Sequence, residues 1–88
     1  MITLEQINKL ERFPGLVPFF NLSEMSDLWA PGERFISLRQ LNAGTLEIEV
    51  DAKDGSVDYS MNNEGLPIAE LREFAEWVEK FSTMVAKL

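Results

Sequence analysis

Fifteen carboxylates, with no histidine and no cysteine, set the chemistry open to this 88-residue chain. Paired carboxylates could serve as general acid and base, and clustered ones could hold a hard cation. A thiol or imidazole nucleophile and a thiolate zinc site are excluded. The nearest thing to a cation loop is the run Asp51-Ala52-Lys53-Asp54-Gly55. Setting Gly55 on the invariant glycine of an EF-hand puts Val50, Ala52 and Met61 where acids are needed, and only Asp54 fits. The run is therefore read as a turn. No glycine-framed serine, Ser-x-x-Lys spacing or phosphate-cradling glycine cluster occurs. A carboxylate-pair hydrolase needs a deep cleft to drive two pKa values apart, which a small sheet under one helix does not supply. The sequence reads as a non-enzyme without metal or cofactor.

The net charge of −7 is concentrated in one part of the chain. Between Glu47 and Glu79 ten acids stand against Lys53 and Arg72, while residues 1–46 are nearly balanced. Such a surface repels phosphate backbones, so direct nucleic-acid binding is disfavoured and a cationic partner is favoured.

The element that must organise the rest is the C-terminal stretch. Leu71, Phe74, Val78, Phe81, Val85 and Leu88 recur at spacings of three and four, widened by Ala75, Trp77 and Met84, which predicts an amphipathic helix over about residues 67–87. Pro67 suits its first position, Glu70, Glu73 and Glu76 lie toward its positive end, and Lys80 and Lys87 toward its negative end. The pairs Arg72–Glu76 and Glu76–Lys80 are i,i+4 partners. At the other end of the chain, Thr3 and Gln6 form a capping-box pattern ahead of a short helix over about 4–12, ended by Pro14-Gly15. Residues 13–32 read as an irregular apolar segment. It holds three prolines, yet Leu16, Val17, Phe19, Phe20, Leu22, Met25, Leu28 and Trp29 ask for burial. The segment either covers the core or leaves an aromatic docking patch.

Three strands are expected over about 34–41, 45–51 and 56–61. Leu46, Ile48 and Val50 alternate with Glu47, Glu49 and Asp51, and Val57, Tyr59 and Met61 alternate with Asp58 and Ser60. A four-residue turn at 52–55, with Gly55 at positive φ, pairs Val50 with Val57, Ile48 with Tyr59 and Leu46 with Met61. A three-residue turn would mix the faces. For the preceding hairpin, a three-residue turn at Asn42-Ala43-Gly44 with Gly44 as the bulge residue pairs Leu38 with Ile48, Ile36 with Val50, Arg39 with Glu47 and Phe35 with Asp51. The fold class is α+β: a short N-terminal helix, a three-stranded antiparallel meander, and a long C-terminal helix across one sheet face.

In that arrangement Glu47, Glu49, Asp51 and Asp58 share the outer face, with Phe35 as an apolar neighbour and Glu49 directly opposite Asp58. Like charges so placed cost stability. The face is read as the site that meets a basic protein surface. A second reading follows from length. A helix of about 33 Å outreaches strands of about 23 Å, so Met84, Val85 and Leu88 overhang. The N-terminal helix and Phe19-Phe20 could cover them, or a second copy could do so in a homodimer seamed along the C-terminal helix. With neither a signal-peptide pattern nor a membrane-length apolar run, the expectation is one cytoplasmic domain. In composition alone the chain resembles small acidic α+β proteins encoded by phages and other mobile elements, some of which inhibit host nucleic-acid enzymes by imitating DNA charge. The resemblance implies a third reading as a charge mimic.

Overall fold

The computed structural model describes residues 1–41, 44–62 and 65–88. In chain order the elements are helix α1 (Leu4–Asn8), strand β1 (Phe20–Asn21), a 3₁₀ turn (Leu22–Glu24), strands β2 (Arg34–Leu41), β3 (Gly44–Asp51) and β4 (Val57–Asn62), and helix α2 (Ile68–Ala86). The strands form one antiparallel sheet in the order β1-β2-β3-β4. The fold is α+β, as the hydrophobic patterns require, with four strands where three were expected. The fourth comes from the segment read as irregular. Val17 N–H donates to Leu38 C=O at 3.1 Å, and Phe20 and Asn21 pair with Ile36 and Phe35. Pro18 cannot donate to a ladder, which keeps this strand short and at the edge. Among the described residues no helix is long and apolar enough to cross a membrane.

α2 carries its stripe inward. Phe74, Val78, Phe81 and Val85 are buried, with Leu71, Trp77 and Met84 packed at the margin. Pro67 stands one position earlier than expected. It is the N-cap, with extended backbone, and its carbonyl accepts from Glu70 and Leu71. The overhang at the far end is covered in part from within the chain, with Val85 buried and Leu88 left exposed. The Phe19 ring stacks on Phe81 at 5.5 Å, and Ile7 is wholly buried in the same cluster. The side-chain amide of Asn8 clasps the backbone of Phe19, accepting from its N–H at 2.7 Å and donating to its carbonyl at 3.1 Å. α1 holds the predicted capping box but stops at Asn8, short of residue 12.

The β3–β4 register is as predicted, with Val50 opposite Val57, Ile48 opposite Tyr59 and Leu46 opposite Met61. Gly55 has φ +75°, and Asp51 N–H donates to Ser56 C=O at 2.9 Å, closing the four-residue turn. The β2–β3 register differs from expectation by one residue. Phe35 pairs with Val50, Ser37 with Ile48, Arg39 with Leu46 and Arg34 with Asp51. Gly44 is the first residue of β3, and Asn42 and Ala43 of the expected turn lie outside the described residues. A one-residue shift turns every side chain of β2 to the other face. Phe35, Ser37 and Arg39 therefore face α2, and Ile36 and Leu38 face away.

Two features accommodate that choice. The turn at 22–24 packs against β2 on the outer side, where Ile36 and Leu22 are buried apart from the main core. Inside, Arg39 finds counter-charge and cover. It ion-pairs with Glu70 of α2, donates to Pro14 C=O at 3.3 Å, and lies 5.6 Å from the centre of the Phe13 ring. The Ser37 hydroxyl donates to Val17 C=O, whereas Arg39 keeps its Nε buried without a hydrogen-bond partner among the described residues.

Candidate partner-binding face

The outer face of β3 and β4 is built by strand alternation. Once Leu46, Ile48 and Val50 are wholly buried, Glu47, Glu49 and Asp51 must point the other way, and the β4 register brings Asp58 opposite Glu49 and Ser60 opposite Glu47. The shifted β2 register adds Arg34 to this face. Its Nε donates to Glu49 Oε2 at 3.2 Å, its guanidinium lies 3.8 Å from an Asp51 oxygen, and it forms a close ion pair with Asp58. The Arg34 side chain is 11 % exposed, against 68 % for Asp58. Trp29 covers it, with its ring centre 5.3 Å from the guanidinium carbon. Burial opposes the charged state of Arg34, but its hydrogen bond to Asp58 and the charge of Glu49 outweigh burial, and the pKa lies above the ordinary arginine value.

Arg34 thus provides the counter-charge that was expected of Arg39. The Arg39–Glu47 pair does not exist, because Arg39 is on the other side of the sheet. Glu47 instead accepts from the Ser60 hydroxyl at 3.0 Å. Phe35, expected as the apolar neighbour of the acids, is 2 % exposed and belongs to the core. The four acids Glu47, Glu49, Asp51 and Asp58 do share one face. Glu47, Glu49, Asp58 and Ser60, with Tyr59 at the rim, line a shallow depression on it. One cation for the four carboxylates of the face, three of which line the depression, leaves it negative.

The other expected features are placed as follows. Val85 is buried, Met84 is half-buried against the core, and Leu88 is 47 % exposed beyond the end of α2. Arg72, Glu76 and Lys80 do not ion-pair with one another; among the described residues Glu70 is the helix acid with an ionic partner. Of the apolar residues in 13–31, Phe13, Leu16, Phe19 and Leu22 are buried, whereas Met25 and Leu28 are exposed. The carboxylates of the 51–55 turn are occupied as backbone caps. Asp51 Oδ1 accepts from Lys53 N–H and Asp54 Oδ1 from Ser56 N–H, both at 2.8 Å. The Ser56 bonds hold the Asp54 carboxyl below the ordinary aspartate pKa. Among the described residues no group of three or more acids could hold a metal ion.

Sequence reasoning missed Arg34, although a signal for it was present. Two carboxylates directly opposite one another are stabilised by a cation nearby, and moving β2 by one residue delivers one. No protein-family model, curated protein or solved structure matches this chain.

Proposed function

We propose that this protein is a non-enzymatic interaction domain that binds a basic segment of a partner protein on the acidic face of β3 and β4. The observation that carries the reading is the depression lined by Glu47, Glu49, Asp58 and Ser60, whose carboxylates are already ordered by Arg34 and by the Ser60 hydroxyl. Carboxylates fixed before binding lose less conformational freedom when a lysine or arginine arrives. Glu47 lies outside the ion pairs of Arg34 and is free to take that cation.

The charge-mimic reading has weaker support, because Arg34 interrupts the row of carboxylates that would imitate phosphates. A homodimer seamed along α2 has weaker support too, since Val85 and Phe81 are spent on the chain's own core.

Backbone-amide NMR titration with a lysine- and arginine-rich peptide tests the proposal. The amides of Glu47, Glu49, Asp58 and Ser60 are expected to shift, with affinity falling as salt rises. Glu47→Lys spares every partner of Arg34 and is expected to weaken binding about tenfold or more. Shifts spread over the acids of α2, or affinity unchanged by Glu47→Lys, would overturn it.

A further inference from the structure

The two edges of the sheet are built differently. β1 is two residues long and preceded by Pro18, a blunted edge. β4 pairs with β3 without interruption from Val57 to Asn62, carries no proline or lysine, and is exposed along nearly its whole length. Among the described residues no strand lies beyond it.

Which of its backbone groups are free follows from the register. Asp51 N–H bonds to Ser56 C=O, so Asp51–Ser56 is a hydrogen-bonded pair. In an antiparallel ladder such pairs alternate, which makes Asp58 and Ser60 bond inward to Glu49 and Glu47. The N–H and C=O groups of Val57, Tyr59 and Met61 therefore point outward. These three residues also place their side chains on the α2 side of the sheet, where Tyr59 is 49 % and Met61 37 % exposed. Tyr59 touches the edge of Phe74, its ring centre 6.2 Å away.

We infer that β4 is a self-association edge, pairing antiparallel with β4 of a second copy about a two-fold axis at Tyr59. The sequence of the strand selects both the occupant and the register. Pairing that satisfies the free backbone groups must set odd positions against odd ones. Centred on Tyr59, it puts Tyr59 opposite its own copy, Val57 opposite Met61, and Asp58 opposite Ser60, so apolar meets apolar and the acid meets a hydroxyl. About six inter-chain backbone bonds result. A shift of two residues one way sets Asp58 against Asp58, and the other way reduces the bonds to about four between described residues. The dimer joins two four-stranded sheets into one of eight strands. Both copies of α2 then lie on one side and both acidic faces on the other.

Light scattering over a concentration series gives the first test. The mass is expected to rise from 10.0 kDa toward twice that value, and to rise further with salt, which screens the repulsion between two chains of net charge −7. The chain has no cysteine of its own, so Tyr59→Cys introduces a single thiol on the axis, where facing Cα atoms about 5.5 Å apart lie within disulfide reach. Oxidation should cross-link this variant at least tenfold faster than Leu28→Cys, whose site is more exposed. Tyr59→Lys should abolish the dimer, with circular dichroism confirming that the fold persists, and Tyr59→Phe should retain it. A strict monomer at the highest attainable concentration, or equal cross-linking at 28 and 59, would overturn the inference.

Discussion

Arg34 on β2 and Asp58 on β4 form an ion pair that spans the intervening strand, passing over Glu49 of β3. Surface ion pairs are usually worth little, but this guanidinium is mostly buried and serves three carboxylates at once. It offsets the repulsion between Glu49 and Asp58, which stand directly opposite one another.

Replacing it therefore costs more than one surface pair. Arg34→Met keeps part of the stem against Trp29 but leaves Glu49, Asp51 and Asp58 without a counter-charge. Urea denaturation is expected to show a loss of about 1–2 kcal/mol at low salt. Added salt should restore part of that loss in the variant and change the parent less, because screening relieves a repulsion that the parent has already neutralised.

How far the fold could be read from the sequence depended on whether an element had one buried face or two. α2 and the β3–β4 hairpin each have a single apolar side, so periodicity and turn length settle their register, and Ile48 is wholly buried as the pattern demands. Tyr59 shares that face yet remains half exposed, because α2 does not extend fully over the edge strand. β2 has apolar residues on both sides, Phe35 on one and Ile36 and Leu38 on the other, and alternation alone does not choose between them. The choice rests on non-local partners: Glu70 and Pro14 for Arg39, the 22–24 turn for Ile36, and three acids for Arg34. The acidic face was legible because it depends on β3 and β4. Its cation was not, because it depends on β2.

The segment before β2 is tied down by a polar contact that sequence patterns do not mark. Ser37 is wholly buried and donates to Val17 C=O. Ser37→Ala leaves that carbonyl without its side-chain donor, and a loss of about 1 kcal/mol is expected. Hydrogen exchange should rise at Val17 N–H, whose bond to Leu38 C=O holds the same stretch to β2.

Acid titration singles out Asp54. Its carboxyl accepts from Ser56 N–H, and its folded pKa lies below the ordinary value of 3.8. A carboxyl depressed by folding contributes stability that is complete above its unfolded pKa and is lost as pH falls through the folded value. NMR titration of the Asp54 side chain should give a midpoint below 3.8. The stability difference between the parent and Asp54→Ala should vanish toward low pH.

Gly15 and Gly32 separate backbone strain from collision. Both have positive φ, +89° and +82°. A Cβ at Gly32 meets nothing within 4 Å, whereas one at Gly15 collides with Cδ of Arg39. Gly32→Ala should cost about 1 kcal/mol from conformation alone. Gly15→Ala should cost clearly more, because the arginine stem it strikes is held on both sides by Phe13 and Glu70. Thermal melts of the two variants give the ranking directly.

The Arg39–Glu70 pair supplies the strongest check on the inward-facing register of β2. Arg39 is 9 % exposed and Glu70 is its ionic partner, so removing Glu70 leaves a cation in the core that, among the described residues, faces the Pro14 carbonyl and the Phe13 ring. Breaking a buried pair from one side usually costs more than removing both charges, because the remaining charge keeps its desolvation penalty. Glu70→Gln is expected to destabilise by about 1–3 kcal/mol, the range being held down by the partial exposure of Glu70. Arg39→Met in that background should recover part of the loss, since methionine keeps the stem packed on Gly15 without the charge. A double-mutant cycle should then give a coupling of about 1 kcal/mol or more. Were Arg39 on the solvent face beside Glu47, the coupling to Glu70 would be absent and Glu47→Gln would show it instead. The same four proteins therefore report which way β2 faces.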